Sequence, residues 1–181
     1  RLPMEDLGEF DFIWVRFVLE YYRVGALEII KSISANLKPG GCMCLLDLDY
    51  NCMSHWEMPS KMETTVVKTM NRMQDNFNFD LYAGRKLYAH LYDLGFEDIL
   101  VNLVPHHLIY GELKYSDEFN WLKKMEIGAH KAPDIYATYP GGSEGFLTDV
   151  KKFFKDPRRF TYSPLILCKG VKPVHGLRKM K

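Results

Sequence analysis

The sequence predicts an α/β fold with parallel central strands, on two observations. Asp11 to Val15 (Asp-Phe-Ile-Trp-Val) is a short unbroken apolar run behind a charged, glycine-containing turn at Glu5 to Glu9. That is the pattern of a strand covered on both faces. A helical period and a glycine-rich stop then lead to a second such run, Cys42 to Leu48, ending among the acids Asp47 and Asp49. Strand, helix and strand in that order form a crossover, and crossovers join parallel strands.

The elements follow from local chemistry. Ala26, Leu27, Ile30, Ile33 and Leu37 recur at helical spacing, so a helix is expected over Val24 to Leu37. Lys38-Pro39-Gly40-Gly41 should stop it. After a loop at Asn51 to Pro59, Ser60 can cap a helix to Asp75. Asp80 can cap another through Leu94, with Leu81, Leu87, Tyr88, Leu91 and Leu94 inward and Gly95 as its stop. A long strand is expected from Phe96 to Tyr110, interrupted at Pro105. Ser116 to His130 should be a helix, rich in aromatic and apolar residues: Phe119, Trp121, Leu122, Met125 and Ile127. Lys131 to Gly142 reads as loop, Phe146 to Phe154 as a short helix, and Phe160 to Cys168 as a last strand. Pro164 would put that strand at an edge or bulge. The end, residues 172–181, is a basic tail expected to fray.

Composition bounds the function. A chain of 181 residues can build one domain with a core. Its 47% hydrophobic and 26% charged residues are those of a soluble globular protein. A net charge of +1 gives no footprint for nucleic acid or an anionic membrane surface. No apolar run is long enough to span a bilayer, and the first residues lack the apolar stretch of a signal peptide. Cys42, Cys44, Cys52 and Cys168 lack zinc-ligand spacing, so no metal is expected. They read as reduced structural thiols, and the cytoplasm is the expected compartment. The chain opens on Arg1, so a longer natural chain is expected.

The stretch from Glu9 to Asp49 is the most specific. Phe10 to Tyr21, then a helix, then Leu37-Lys38-Pro39-Gly40-Gly41, then Leu45-Leu46-Asp47-Leu48-Asp49 resembles the second half of a class I S-adenosylmethionine-dependent methyltransferase domain. Leu2-Pro3 ahead of the first strand and Leu94-Gly95-Phe96 ahead of the third also fit. The resemblance runs from Leu2 to Val171, closely to Asp49 and loosely beyond. It implies a Rossmann-like sheet, mostly parallel with an antiparallel last strand. It makes residues 1–171 the C-terminal part of one methyltransferase domain, with a helical lid at about residues 111–158. It also implies S-adenosyl-L-methionine as methyl donor and a small-molecule acceptor. The family's Gly-x-Gly turn and ribose-contacting acid are missing, so this chain alone is expected to hold the donor weakly or not at all.

Ligands in open α/β sheets sit beyond the carboxyl ends of the strands. That places Val15, Arg16 and Phe17, and also Asp49 and Tyr50, at a site rim. By resemblance, Val15, Arg16 and Phe17 match the loop beside the methionine end of the cofactor, and Tyr21 and Tyr22 lie toward the acceptor. His55, with Trp56, is a further candidate for acceptor contact. Simple packing of Phe17, Leu19 and Tyr21 under the helix explains the same residues. His106 and His107 should point to opposite faces of a strand and so cannot chelate jointly; either could serve as a base. Gly141-Gly142-Ser143-Glu144-Gly145 reads as a surface turn. Methyl transfer from a sulfonium needs orientation more than acid–base groups, so no catalytic residue is identified.

Two other readings stay open at the level of sequence. One is a non-catalytic, methyltransferase-like module that binds a partner; the other is a different nucleotide-binding α/β enzyme. If no neighbour pairs with the first strand, Phe12, Ile13, Trp14 and Val15 would form an open edge on which another copy of the chain can pair.

Overall fold

The computed structural model describes residues 7–175, so Leu2-Pro3 and the end of the basic tail lie outside the described residues. The chain divides into two compact units. One holds the residues up to Asp49, Asp80–Val104 and Leu165 onward; the other holds Tyr50–Phe79 and Pro105–Pro164.

In the first unit, β1 (Phe10–Arg16) and β2 (Leu37–Leu48) are parallel neighbours, as the crossover requires. Between them come a 3-10 turn (Leu19–Tyr21) and α1 (Ala26–Ala35). The helix is shorter than expected. Gly25 stands before it at φ +98°, which a side chain adopts poorly, and Val24 is exposed. Lys38-Pro39-Gly40-Gly41 is no stop but the opening of β2. Gly40 N–H donates to the Lys172 carbonyl (2.8 Å) and Lys172 N–H to the Gly41 carbonyl (2.9 Å), drawing the turn into the sheet. The register against β1 jumps there, from Phe10↔Leu37 to Phe12↔Cys42.

β5 (Phe160–Val171) runs antiparallel to β2 over Leu165–Val171, with Leu48 opposite Leu165. The last strand is therefore antiparallel, as expected. β4 (Glu97–Ile109) also pairs with β5 and continues through Pro105 without a break. Helix α3 (Ala83–Asp93) ends as the sequence indicated. Gly95 takes φ +80°, and Phe96 N–H closes back on the Leu91 carbonyl at 3.0 Å. Ile30, Met43, Leu45, Leu87, Leu91 and Cys168 form the centre of the core. Each such apolar side chain stabilises the fold by roughly 1.5–3 kcal/mol. Tyr88, expected inward, is exposed and stacks on Tyr92 instead.

Among the described residues, β1 is the outermost strand on its side of the sheet. Its side chains alternate. Phe10, Phe12 and Trp14 are 43%, 52% and 51% exposed, whereas Val15 is buried and Ile13 packs on the core. Only every second residue of the expected open edge is therefore bare.

In the second unit, β3 (His55–Trp56) lies inside the expected loop and pairs antiparallel with Thr161 and Phe160 of β5. Pro164, which has no N–H to give a ladder, falls between the stretch of β5 paired to β3 and the stretch paired to β2. The unit's helices are α2 (Ser60–Asn76), α4 (Tyr115–Lys131), α5 (Pro133–Ala137) and α6 (Gly142–Lys155). Ser60 is the first helical residue rather than the cap, which is Pro59. On α4, Trp121 and Met125 are buried, whereas Phe119 and Ile127 are exposed. The supposed loop after α4 contains α5, which opens on Pro133; Asp134 receives two hydrogen bonds from Arg72 (3.1 and 2.8 Å). The four cysteines are free thiols.

Helix α6 begins earlier than expected because Gly145 allows it. A Cβ there would stand 2.0 Å from the Pro140 carbonyl oxygen, which is backbone and cannot swing aside. Gly145→Ala is therefore expected to lower stability by about 1–3 kcal/mol, the cost of overpacking. A denaturation midpoint equal to that of the unsubstituted chain would contradict this account of the turn.

Candidate functional site

The candidate site in the first unit is built at the carboxyl ends of β1 and β2. Beyond Arg16 the chain turns sharply: Phe17 takes φ +53°, strained for an aromatic residue, and its N–H donates to the Leu46 carbonyl at 3.0 Å. The exposed Arg16 guanidinium lies 4.6 Å from the centre of the Phe17 ring. Val15 is buried beneath this turn. Tyr21 and Tyr22 stand exposed on and just after the 3-10 turn. Burial of part of the Tyr21 phenol, with Glu20 beside it, raises its pKa, so the hydroxyl keeps its proton at neutral pH. A shallow apolar groove of about 590 Å³ runs beside β1, lined by Phe10, Ile13, Trp14, Val15 and Val18.

What holds the turn is a residue the sequence reading did not single out. Asp47, fully buried near the end of β2, accepts hydrogen bonds on Oδ2 from the Leu19 N–H (2.9 Å) and the Glu20 N–H (3.1 Å). Its Oδ1 accepts from the Leu48 N–H at 3.0 Å. Burial pushes its pKa up to about 6, against the pull of those three N–H groups. The available signal was a lone acid inside the apolar run Leu45-Leu46-Asp47-Leu48, since a buried charge must be answered by donors. Glu20 is itself buried, and its carbonyl accepts from the Asp80 N–H at 2.6 Å. Asp80 in turn binds Lys86 at 2.6 Å.

Asp49, expected at the rim, is mostly buried and engaged. Arg85 donates to it from Nε (2.9 Å to Oδ1) and Nη2 (2.8 Å to Oδ2), and also from its backbone N–H (3.2 Å to Oδ1). The absent side chain at Gly84 lets α3 approach, since a Cβ there would lie 3.0 Å from the Asp47 carbonyl oxygen.

Tyr50 and His55 belong to the second unit. Tyr50 is partly exposed at φ +53°. His55 is enclosed: its ring lies edge-on to Trp121 (5.0 Å), Phe153 (5.8 Å) and Phe154 (6.1 Å). Nδ1 is 2.8 Å from the Thr161 hydroxyl and Nε2 is 3.1 Å from the Cys52 carbonyl oxygen, so both ring nitrogens are occupied. Burial lowers its pKa to about 4. The rings of His106 and His107 meet at 4.3 Å, so at this point the strand does not separate them as simple alternation predicts. Burial, followed by the nearby Lys124 and His106, also takes His107 to about 4. Among the described residues no three His, Cys, Asp or Glu side chains form a potential metal cluster. No helix among them is long and apolar enough to cross a membrane.

The architecture is α/β, with a mixed sheet whose last strand is antiparallel. No protein-family model matches the chain, and no curated protein matches it. Solved structures with related chain paths include a Bacillus halodurans C-125 protein described as a methyltransferase (16% identity, TM-score 0.46, 92% of this chain and 65% of that one). A Haemonchus contortus phosphoethanolamine N-methyltransferase matches at 15% identity and TM-score 0.43, over 91% of this chain and 34% of that one. A cyclopropane-fatty-acyl-phospholipid synthase-like protein from Lactobacillus casei ATCC 334 matches at 9% and 0.48, over 94% and 61%. The chain thus spans less than two thirds of the length of each.

Proposed function

We propose that this chain is the C-terminal part of an S-adenosylmethionine-dependent methyltransferase domain that acts on a small-molecule acceptor. Residues upstream would supply most of the cofactor site. The observation that carries the reading is topological. A parallel crossover, β1 to β2, is followed by a last strand that returns antiparallel beside β2 and also pairs with β4. The segments forming it are those whose sequence resembles that family.

The residues present fit one end of the cofactor. Arg16 offers an exposed cation to a carboxylate, and Val15 and Phe17 offer apolar contact beside the sharp turn. They do not supply a glycine-rich turn for the adenosine half. When bound, the cofactor would supply an electrophilic methyl group; the chain's own task is to orient donor and acceptor and to exclude water. Tyr21 and Tyr22, exposed on and just after the 3-10 turn, are proposed for the acceptor side. The helical segment over residues 111–158 is proposed as a lid.

Titration calorimetry tests this. The 181-residue chain should bind S-adenosylmethionine no more tightly than about 1 mM, a free energy near −4 kcal/mol. The chain extended by the upstream residues of its gene should bind at least a hundredfold more tightly. Micromolar binding by the short chain would mean that the cofactor site is misplaced. Absence of binding by the extended chain favours the second reading, a partner-binding module, for which the bare apolar side of β1 speaks.

A further inference from the structure

The turn between β1 and α1 has little to hold it by itself. A single 3-10 turn is too short to be stable alone, and Phe17 at φ +53° pays a strain of about 1–2 kcal/mol. Two consecutive N–H groups, of Leu19 and Glu20, face the interior and need acceptors. Both converge on one oxygen of Asp47, brought there by the neighbouring strand. A second hold comes from the far side, where Glu20 C=O receives the Asp80 N–H. The segment is therefore anchored at its middle, while Arg16, Phe17, Tyr21 and Tyr22 remain at least partly accessible around the anchor.

We infer that Asp47 is the positioning residue of the site: by clamping Leu19 and Glu20 it sets the turn that presents Val15, Arg16 and Phe17 to the methionine end of the cofactor. This rests on the methyltransferase reading given above. Asp47 touches no ligand; it acts through the turn. An aspartate suits the task because one carboxylate oxygen can accept two N–H groups at once, as it does here, while the other accepts Leu48. Asparagine has a single acceptor oxygen: turned toward Leu19 and Glu20 it keeps their two N–H groups but sets its own amide N–H2 against the Leu48 N–H, so only alanine removes the clamp outright. The titratable and charged groups about Asp47 are Glu20 and Tyr21 on the turn, Asp80 with its partner Lys86, and the pair of Asp49, just past β2, with Arg85 of α3.

Two readouts test the inference. The first is amide hydrogen exchange in the 181-residue chain. Asp47→Ala should speed exchange at Leu19 and Glu20 at least tenfold, while Met43 and Leu45 in β2 stay protected. Unchanged protection at Leu19 and Glu20 would overturn the clamp. The second is S-adenosylmethionine affinity of the gene-length protein as a function of pH. The unsubstituted protein should weaken as pH falls through about 6, as Asp47 takes up a proton. Asp47→Ala should be at least tenfold weaker at neutral pH and show no inflection there, a loss that a merely structural role would not produce. Fast exchange with undiminished affinity would reduce Asp47 to scaffolding and overturn the positioning role. If the unsubstituted gene-length protein fails to bind at all, the methyltransferase reading falls, and the link to cofactor with it; exchange still decides the clamp.

Discussion

Replacing Trp121 with alanine should destabilise the second unit by about 3–5 kcal/mol, the range for removing a large aromatic residue from a core. Trp121 has no exposed surface and is a hub. His55, His107 and Phe154 all pack against it, at ring distances of 5.0, 5.9 and 5.3 Å, and the Lys124 ammonium lies 4.9 Å from its ring centre. Its removal opens a hole lined by stiff rings that cannot collapse into it. Trp121→Phe separates volume from chemistry. The indole Nε1–H is buried with no hydrogen-bond acceptor among the described residues, so phenylalanine removes an unmet donor while keeping much of the bulk. Its expected cost is below about 1.5 kcal/mol. Urea denaturation of both variants decides the matter. An alanine variant within 1 kcal/mol of the parent, or a phenylalanine variant as unstable as the alanine one, would refute the hub.

Acid should loosen the same unit first. His55 and His107 both titrate near 4 in the fold, against an ordinary value of 6.5. A histidine depressed in the folded state binds its proton more readily when unfolded. Stability is then whole above about pH 6.5 and is lost as pH falls toward 4. At about 1.4 kcal/mol per unit, the enclosed His55 puts roughly 3 kcal/mol at stake. His107, only half-buried, adds less because solvent screens it. Asp47 in the first unit works the other way. Its raised pKa means the folded state gains relative stability as pH falls through about 6 toward the unfolded value near 4. Amide exchange, corrected for intrinsic rates, should therefore rise at acid pH in Trp121 and its neighbours before it rises in Met43 and Leu45. Simultaneous loss of protection in both sets would contradict this. His55→Gln, which can keep one of the two hydrogen bonds, should flatten the acid response.

The fold was largely legible because its strongest signals are local. The two apolar runs, the helical period of Ala26 to Ile33 and the Gly95 stop are each set by neighbours in sequence. What was misread depended on distant partners. Lys38 to Gly41 has the composition of a turn, and the distant backbone of Lys172 draws it into the sheet. Tyr88 sits at a spacing that suits the border of its helix's apolar face, so period alone cannot assign it. Helix α5 was the avoidable miss: Pro133 followed by Asp134 is an ordinary helix opening. At the site, position at strand ends found the segment but not the side chain that holds it. A carboxylate's partners here are N–H groups far along the chain, and nothing in the order of residues announces them. His55 shows the converse: a titratable residue in a loop was taken for a contact, and a cage of three rings encloses it.

The alternation along β1 bears on how the molecule behaves when crowded. Phe10, Phe12 and Trp14 form an uncharged ribbon on one side of the outermost strand, with no lysine or proline among them to discourage a visitor. In the 181-residue chain, association through such a ribbon grows with concentration, because its hazard is encounter and not unfolding. Dilute samples should be well behaved, and concentrated ones should drift toward larger species without losing secondary structure. A lysine at position 12 or 14 would act as a gatekeeper there, raising the usable concentration while leaving the buried side of the strand intact.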